Sequence, residues 1–263
     1  MAKAKDDDGK YNVKIVERCL AILDYAAEND GAFSVQDIMN RLDVNVNMAY
    51  RLLTTLVNSG YLNRDEEKST YTVSLKVMPL ANRALSALEI RKAALPCMEL
   101  LSQRFPNANI NLGVLYNGAV IQTDRIDSQA TPRTYFVPGK AVPFHASGMG
   151  KVLACELYPE ELERIIEKNG GLKEYTVHTI TDYKTLVEEL RKVREQGYGL
   201  DREELIINDN CNAAPIRNGD GRIVAAVSMS AFGTYISREE MDESIHFICE
   251  TAHQISYFLG YAL

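Results

Sequence analysis

The sequence predicts an α+β protein in two parts, an N-terminal winged helix-turn-helix and a C-terminal sensory domain, connected by a linker helix. Three observations lead there. The first sixty residues carry three short runs of helical periodicity closed by a hairpin pattern. An Ala- and Leu-rich helical stretch then spans Lys76 to Phe105. From Asn109 onward the apolar period shortens to two, with helices interspersed among the strands.

In the first run, Val13 to Ala27, apolar residues fall on nearly every helical face, which predicts a central and buried helix. Ser34 followed by Asp37 is a capping-box pair that opens a second, short helix with Val35, Ile38, Met39 and Leu42 turned inward. "LDVNVN" (Leu42 to Asn47) makes the turn into a third helix, packed through Ala49, Leu52, Leu53, Leu56 and Val57. Its opposite face repeats Asn47, Tyr50, Arg51, Thr54, Thr55 and Asn58: one guanidinium among amides and hydroxyls, and no carboxylate to repel a phosphate backbone. Gly60 stops this helix, and "YLNRDEEKSTYTVSL" alternates Tyr71, Val73 and Leu75 as a β-hairpin wing, with Arg64 and Lys68 placed for phosphate or minor-groove contact. A small helical bundle whose polar face is merely solvated is the alternative reading of the same pattern.

In the linker stretch, Pro79 suits a first helical turn and Pro96 is expected to end or kink one helix before the next begins. Beyond it, "NINLGVLY" and "AVIQTDRI" flank Asn117-Gly118, a hairpin signal. Further strands are expected at Arg133 to Val137, Asn212 to Arg217 and Arg222 to Ser230. Helices are expected at Ser147 to Glu156, Pro159 to Glu167, Asp182 to Gln196 and, after the capping box Ser237/Glu240, to about Phe258. The expected organisation is a disordered acidic tail (1–9, with Asp6 to Asp8), a head (10–76), a linker helix (77–95) and a sensory domain (96–263).

Composition excludes several classes. Hydrophobic residues make up 46% and charged residues 25% of 263 residues, as in ordinary globular chains. No apolar run reaches membrane-spanning length and the N-terminus has no signal-peptide core, so a cytoplasmic location is expected. Five scattered cysteines without CxxC spacing fit neither a disulfide framework nor a zinc ribbon, and no cofactor is expected. The net charge is −7, and residues 1–90 carry 11 Lys or Arg against 13 Asp or Glu. Bulk charge therefore does not announce a DNA binder, and any such role must rest on a local surface.

"HASGMGKVLAC" (His145 to Cys155) has the form of a helix entry, with Ser147 at the N-cap, His145 as a structural hydrogen-bonder and free amides behind them able to meet an anion. Together with "VKIVERCLAILDYAAE", "AYRLLTTLVNSGYLNRD", "GYGLDREEL" and "CNAAPIRNGDGRIVAAVSMSA", in this order and spacing, it resembles the IclR family of transcriptional regulators over nearly the whole chain. The resemblance implies a GAF-like α/β effector-binding domain, dimers or tetramers on a double-stranded operator, and a small organic-acid effector. It further implies a ligand-responsive regulator, with repression the expected direction, and an effector pocket at Val142, Gly148, Met149, Asp201, Cys211, Ala213, Ser228 and Ser230. Elementary geometry agrees in part: Ser228 and Ser230, two apart on a strand, share a face, and Asp201 suits a ligand hydroxyl or hydrate better than a carboxylate. Two departures stand out. Val46, Asn47 and Met48 replace the Lys, Ser and Thr that many relatives place against phosphate, and the acidic tail replaces a basic arm. The rival readings are a sensing module acting through a protein partner, and a metal-dependent or thiol enzyme using His246, Cys249, Glu250 and His253, spaced along one helical face.

Overall fold

The computed structural model describes residues 12–29, 31–86, 89–116, 118–130 and 141–261. The acidic tail, Asn117 and the strand expected at Arg133 to Val137 lie outside these residues. The chain divides between Ala84 and Leu85 into two compact units.

In the first unit, α1 (Lys14–Glu28), α2 (Val35–Leu42) and α3 (Val46–Asn58) surround a core of Ile22, Ala26, Ile38, Ala49, Leu52, Leu53 and Leu56. Ser34 caps α2 with the full reciprocal box, its hydroxyl accepting from Asp37 N–H and its own N–H donating to the Asp37 carboxylate at 2.7 Å. Asn45 caps α3 through the Met48 N–H at 3.0 Å. Strands β1 (Phe33–Ser34), β2 (Leu62–Asp65) and β3 (Thr70–Val73) form an antiparallel sheet in the order β1-β3-β2, with Tyr71 buried against Phe33. The expectation of a wholly buried first helix is corrected. Only the stripe through Ile22 and Ala26 is covered, while Val13, Val16 and Leu20 are 58%, 52% and 56% exposed because this three-helix unit has elements on one side of α1 only. Leu75 belongs not to the wing but to a single 3₁₀ turn, Leu75–Val77, where it is exposed. This turn runs into α4 (Met78–Ser86).

In the second unit, α5 (Glu89–Arg104) continues through Pro96, so of the expected end or kink at this proline the end does not occur. The proline faces solvent, and burial of Ala94, Cys97, Met98 and Leu101 on the other side offsets the single lost backbone bond. The sheet comprises β4 (Asn109–Tyr116), β5 (Ala119–Ile126), β6 (Ala141–Val142), β7 (Gly199–Arg202), β8 (Asp209–Arg217) and β9 (Ile223–Phe232), in the order β6-β5-β4-β9-β8-β7. Helix α5 and the C-terminal α9 (Arg238–Phe258) cover one face through Ile110, Leu112, Ile216, Val227 and Met229. Helices α6 (Gly148–Ala154), α7 (Pro159–Lys168) and α8 (Tyr183–Gln196) cover the other through Val152, Leu153, Leu162, Leu186 and Leu190. Period two in β9 sorts Ala225, Val227 and Met229 to the first face and Ala226, Ser228 and Ser230 to the second. Among the described residues, no helix is long and apolar enough to cross a membrane.

Candidate functional sites

On the head, Asn47, Tyr50, Arg51, Thr54, Thr55 and Asn58 are all exposed along one side of α3. Thr55 already donates its hydroxyl to the Arg51 carbonyl at 2.7 Å, so toward a partner it acts as an acceptor. Arg64 and Lys68 are exposed on the wing, but in mixed company. Lys68 Nζ lies 3.8 Å from the Asp65 carboxylate, and exposed Glu66 and Glu67 complete the tip, so two cations share it with three carboxylates. The wing therefore presents a less favourable local charge to a phosphate than α3 does.

In the second unit the register of the sheet assembles a polar floor. One cross-strand row runs Asp201, Cys211, Ser230, Asn109; the next runs Gly199, Ala213, Ser228, Asn111. A small cavity lies over these rows, with a volume of about 30 Å³, room for roughly one water. Its lining includes Val142, Met149, Asp201, Cys211, Ser228 and Ser230, six of the eight residues that the sequence nominates. Ala213 and Gly148 are not in the lining. Ala213 packs in the core beside Ser228, and Gly148 is wedged against backbone, its missing Cβ leaving space 3.2 Å from the Gly199 carbonyl and 3.3 Å from that of Cys211.

The glycines of "HASGMGK" are required by this approach. Ser147 caps α6 through the Gly150 N–H at 3.1 Å, and a Cβ on Gly150 would lie 2.3 Å from the Phe144 backbone. Met149, which lines the cavity, packs its thioether against Gly113, where an added Cβ would meet its sulfur at 2.5 Å. Lys151, fully buried, donates from Nζ to the Leu200 carbonyl at 2.9 Å and pairs with Glu204, whose N–H donates to Asp201 Oδ1 at 2.8 Å. His145 serves structure, its Nε2 lying 2.9 Å from the Lys173 carbonyl, and burial lowers its pKa.

Sequence reasoning missed Asn111, Gln122, Leu205 and Asp209, which also line the cavity. Asn111 repeats Asn109 at strand period, a signal that was available; Gln122 was hidden by a bulge. The register of β4 and β5 shifts at Leu112/Gly113, so Gln122 turns to the cavity while Asp124 turns to α5, where Arg91 Nε donates to its Oδ1 at 2.7 Å. Burial raises the Asp201 pKa to about 8 and that of Asp209 to about 6, the nearby Arg125 guanidinium opposing the second shift. Burial likewise raises the Cys211 thiol, which makes it inert rather than nucleophilic.

Residues 82–257 match the family described as bacterial transcriptional regulator IclR C-terminal, and residues 15–66 match the IclR helix-turn-helix domain. The chain belongs to the IclR family. This IclR-family chain is 29% identical over 245 residues to the HTH-type transcriptional repressor AllR of Escherichia coli K12, covering 93% of the chain and 90% of the relative. The IclR structure from Thermotoga maritima superposes with a TM-score of 0.71 at 26% identity, over 95% of this chain and 100% of that one. An IclR homologue from Microbacterium hydrocarbonoxydans, complexed with 4-hydroxybenzoate, shares the fold at a TM-score of 0.77 and 24% identity, over 93% and 98% of the two chains. Membership makes the chain a DNA-binding transcriptional regulator rather than an enzyme. His246, Cys249, Glu250 and His253 line an open groove on α9, and among the described residues no three His, Cys, Asp or Glu side chains converge to hold a metal.

Proposed function

We propose that this chain is a cytoplasmic repressor in which a small organic acid, admitted to the cavity of the second unit when its lining opens beyond the room for one water, changes the grip of α3 on an operator. The observation that carries it is the coincidence in one chain of a carboxylate-free recognition face and a buried, hydroxyl-bearing cavity. The repressor role of AllR and the 4-hydroxybenzoate held by the Microbacterium homologue support the two halves. The effector residues are Val142, Met149, Asp201, Cys211, Ser228 and Ser230, backed by Gly148 and Ala213. The DNA contacts are Asn47, Tyr50, Arg51 and Thr54, with Arg64 and Lys68 in a lesser role. The head spans 10–76, the linker 77–95 and the effector-binding domain 96–263. The exposed Val13, Val16 and Leu20 stripe on α1 supports a homodimer, itself pairing into a tetramer, with one α3 per half-site in the major groove.

Occupancy reaches the linker through β5, because Gln122 lines the cavity and Asp124, two residues on, is bonded to Arg91 of α5. The ligand must bind the two arrangements of the dimer unequally, and a coupling of about 1–3 kcal/mol would change operator affinity roughly 5- to 150-fold. The test is fluorescence anisotropy of DNA flanking the gene, titrated with the full chain in the presence and absence of short carboxylates. Specific binding that weakens with one of them supports the proposal; binding indifferent to every acid refutes it.

A further inference from the structure

The turn into α3 differs in chemistry from the rest of the recognition surface. From Leu42 to Ala49 the chain has no Lys or Arg. Asp43, at the C-cap of α2 with φ 49°, stands exposed, and Arg41 before it reaches toward Glu28 at 3.5 Å. This end of α3 therefore has no side-chain cation for a phosphate and one carboxylate nearby to repel it.

In a helix-turn-helix, however, the N-terminal residues of the second helix are those that come nearest the base edges. Val46 is the first residue of α3, because Asn45 is the N-cap, its side chain accepting from the Met48 N–H at 3.0 Å. The isopropyl group is 44% exposed, whereas Ala49, Leu52 and Leu53 behind it are buried. Asn47 follows, also exposed, and Tyr50, four residues beyond Val46, continues the same edge of the helix. The leading turn thus offers an apolar group and an amide side by side. Among base edges in the major groove only thymine presents a methyl group, and an asparagine amide fits adenine N6 and N7. A β-branched side chain is stiff at χ1, so Val46 loses little rotamer freedom on contact. Arg51 lies five residues on, about 7.5 Å along the helix axis. That is close to two base-pair steps of about 3.4 Å, and its guanidinium matches guanine O6 and N7.

We infer that Val46 is a specificity-determining residue of the operator complex, packing on the C5-methyl of a thymine in each half-site, about two base pairs from the guanine taken by Arg51. This inference rests on the reading of α3 as the DNA-contacting helix and extends it to a residue outside the polar face.

Selection of duplexes from a random pool by the full chain supplies the half-site, which should hold a thymine about two base pairs from a guanine. Each thymine is then replaced in turn by deoxyuridine, which lacks only the methyl group, and affinity is read by fluorescence anisotropy. For the natural chain, one such replacement per half-site should weaken binding about fourfold, the effect of withdrawing one buried methyl. With Val46→Ser the thymine and deoxyuridine duplexes should bind alike, while Val46→Ile should keep the natural ratio. The ratio compares two duplexes on one protein, so the stability of a variant does not enter it. Insensitivity to every thymine methyl overturns the inference, as does a ratio that survives Val46→Ser. Arg51→Ala separates the two readings. If it weakens binding to the selected duplex while no thymine methyl matters, α3 contacts the DNA and the Val46 inference alone falls. If the pool yields no preferred duplex, both fall.

Discussion

Arg51 is the single guanidinium on the outer face of α3, surrounded by Asn47, Tyr50, Thr54 and Asn58. Replacing it by Ala should weaken operator binding by about 1–3 kcal/mol, roughly 5- to 150-fold, in a DNA-binding titration. Calorimetric binding of the effector should be unaffected. A regulator working only through a protein partner would lose neither. The buried Asp201 makes a second prediction. Its pKa in the folded state, about 8, lies above the ordinary 3.8, so the folded protein holds a proton that the unfolded chain gives up. That contribution to stability is complete below about pH 4 and is lost as pH rises toward 8. Asp201→Asn removes the titration, and its melting temperature should fall less than that of the natural chain between pH 5 and pH 8. Parallel declines would show that another group governs this range.

At the scale of elements, two glycines separate packing from binding. Gly150→Ala places a methyl against the Phe144 backbone, which has no room to yield, and should destabilise the second unit by about 1–3 kcal/mol in denaturant unfolding. Gly113→Ala meets chiefly the flexible end of Met149, with the Ile121 carbonyl at an ordinary 3.4 Å, and should leave stability nearly intact while displacing that cavity-lining side chain, so that titration shows altered acid binding. On the wing, Glu66→Gln with Glu67→Gln removes two of three carboxylates beside Arg64 and Lys68. DNA affinity should rise, and unchanged affinity would place the wing away from phosphate.

Much of this was legible in the chain, for identifiable reasons. Local signals set α2, α3, α8 and α9, because Ser34, Asp182 and Ser237 carry their own capping chemistry and the apolar spacing follows 3.6. Ser228 and Ser230 could be paired by strand period alone. Asn111 and Asp209 could not be brought to them without the register of β4, β9 and β8, which depends on contacts between residues far apart in sequence. Gln122 was concealed by a bulge that reverses strand parity, and the passage of α5 through Pro96 reflects tertiary burial overriding a local rule.

For the molecule as a whole, the bulk charge of −7 opposes DNA, so the proposed recognition rests on the α3 surface concentrating a few favourable contacts. Under the proposed function, regulation requires only a modest difference in ligand affinity between two arrangements of the proposed dimer, and the Arg91–Asp124 bond two residues from Gln122 offers a route from the cavity to α5. The most direct measurement is the affinity of the full chain for DNA flanking its gene, relative to scrambled duplex of equal length, with and without a panel of short carboxylates and from about 50 to 200 mM salt. The account predicts sequence preference, a steep fall with salt and a further change of at least about fivefold on adding one of the acids. Equal affinity for both duplexes, unmoved by every acid, would contradict it.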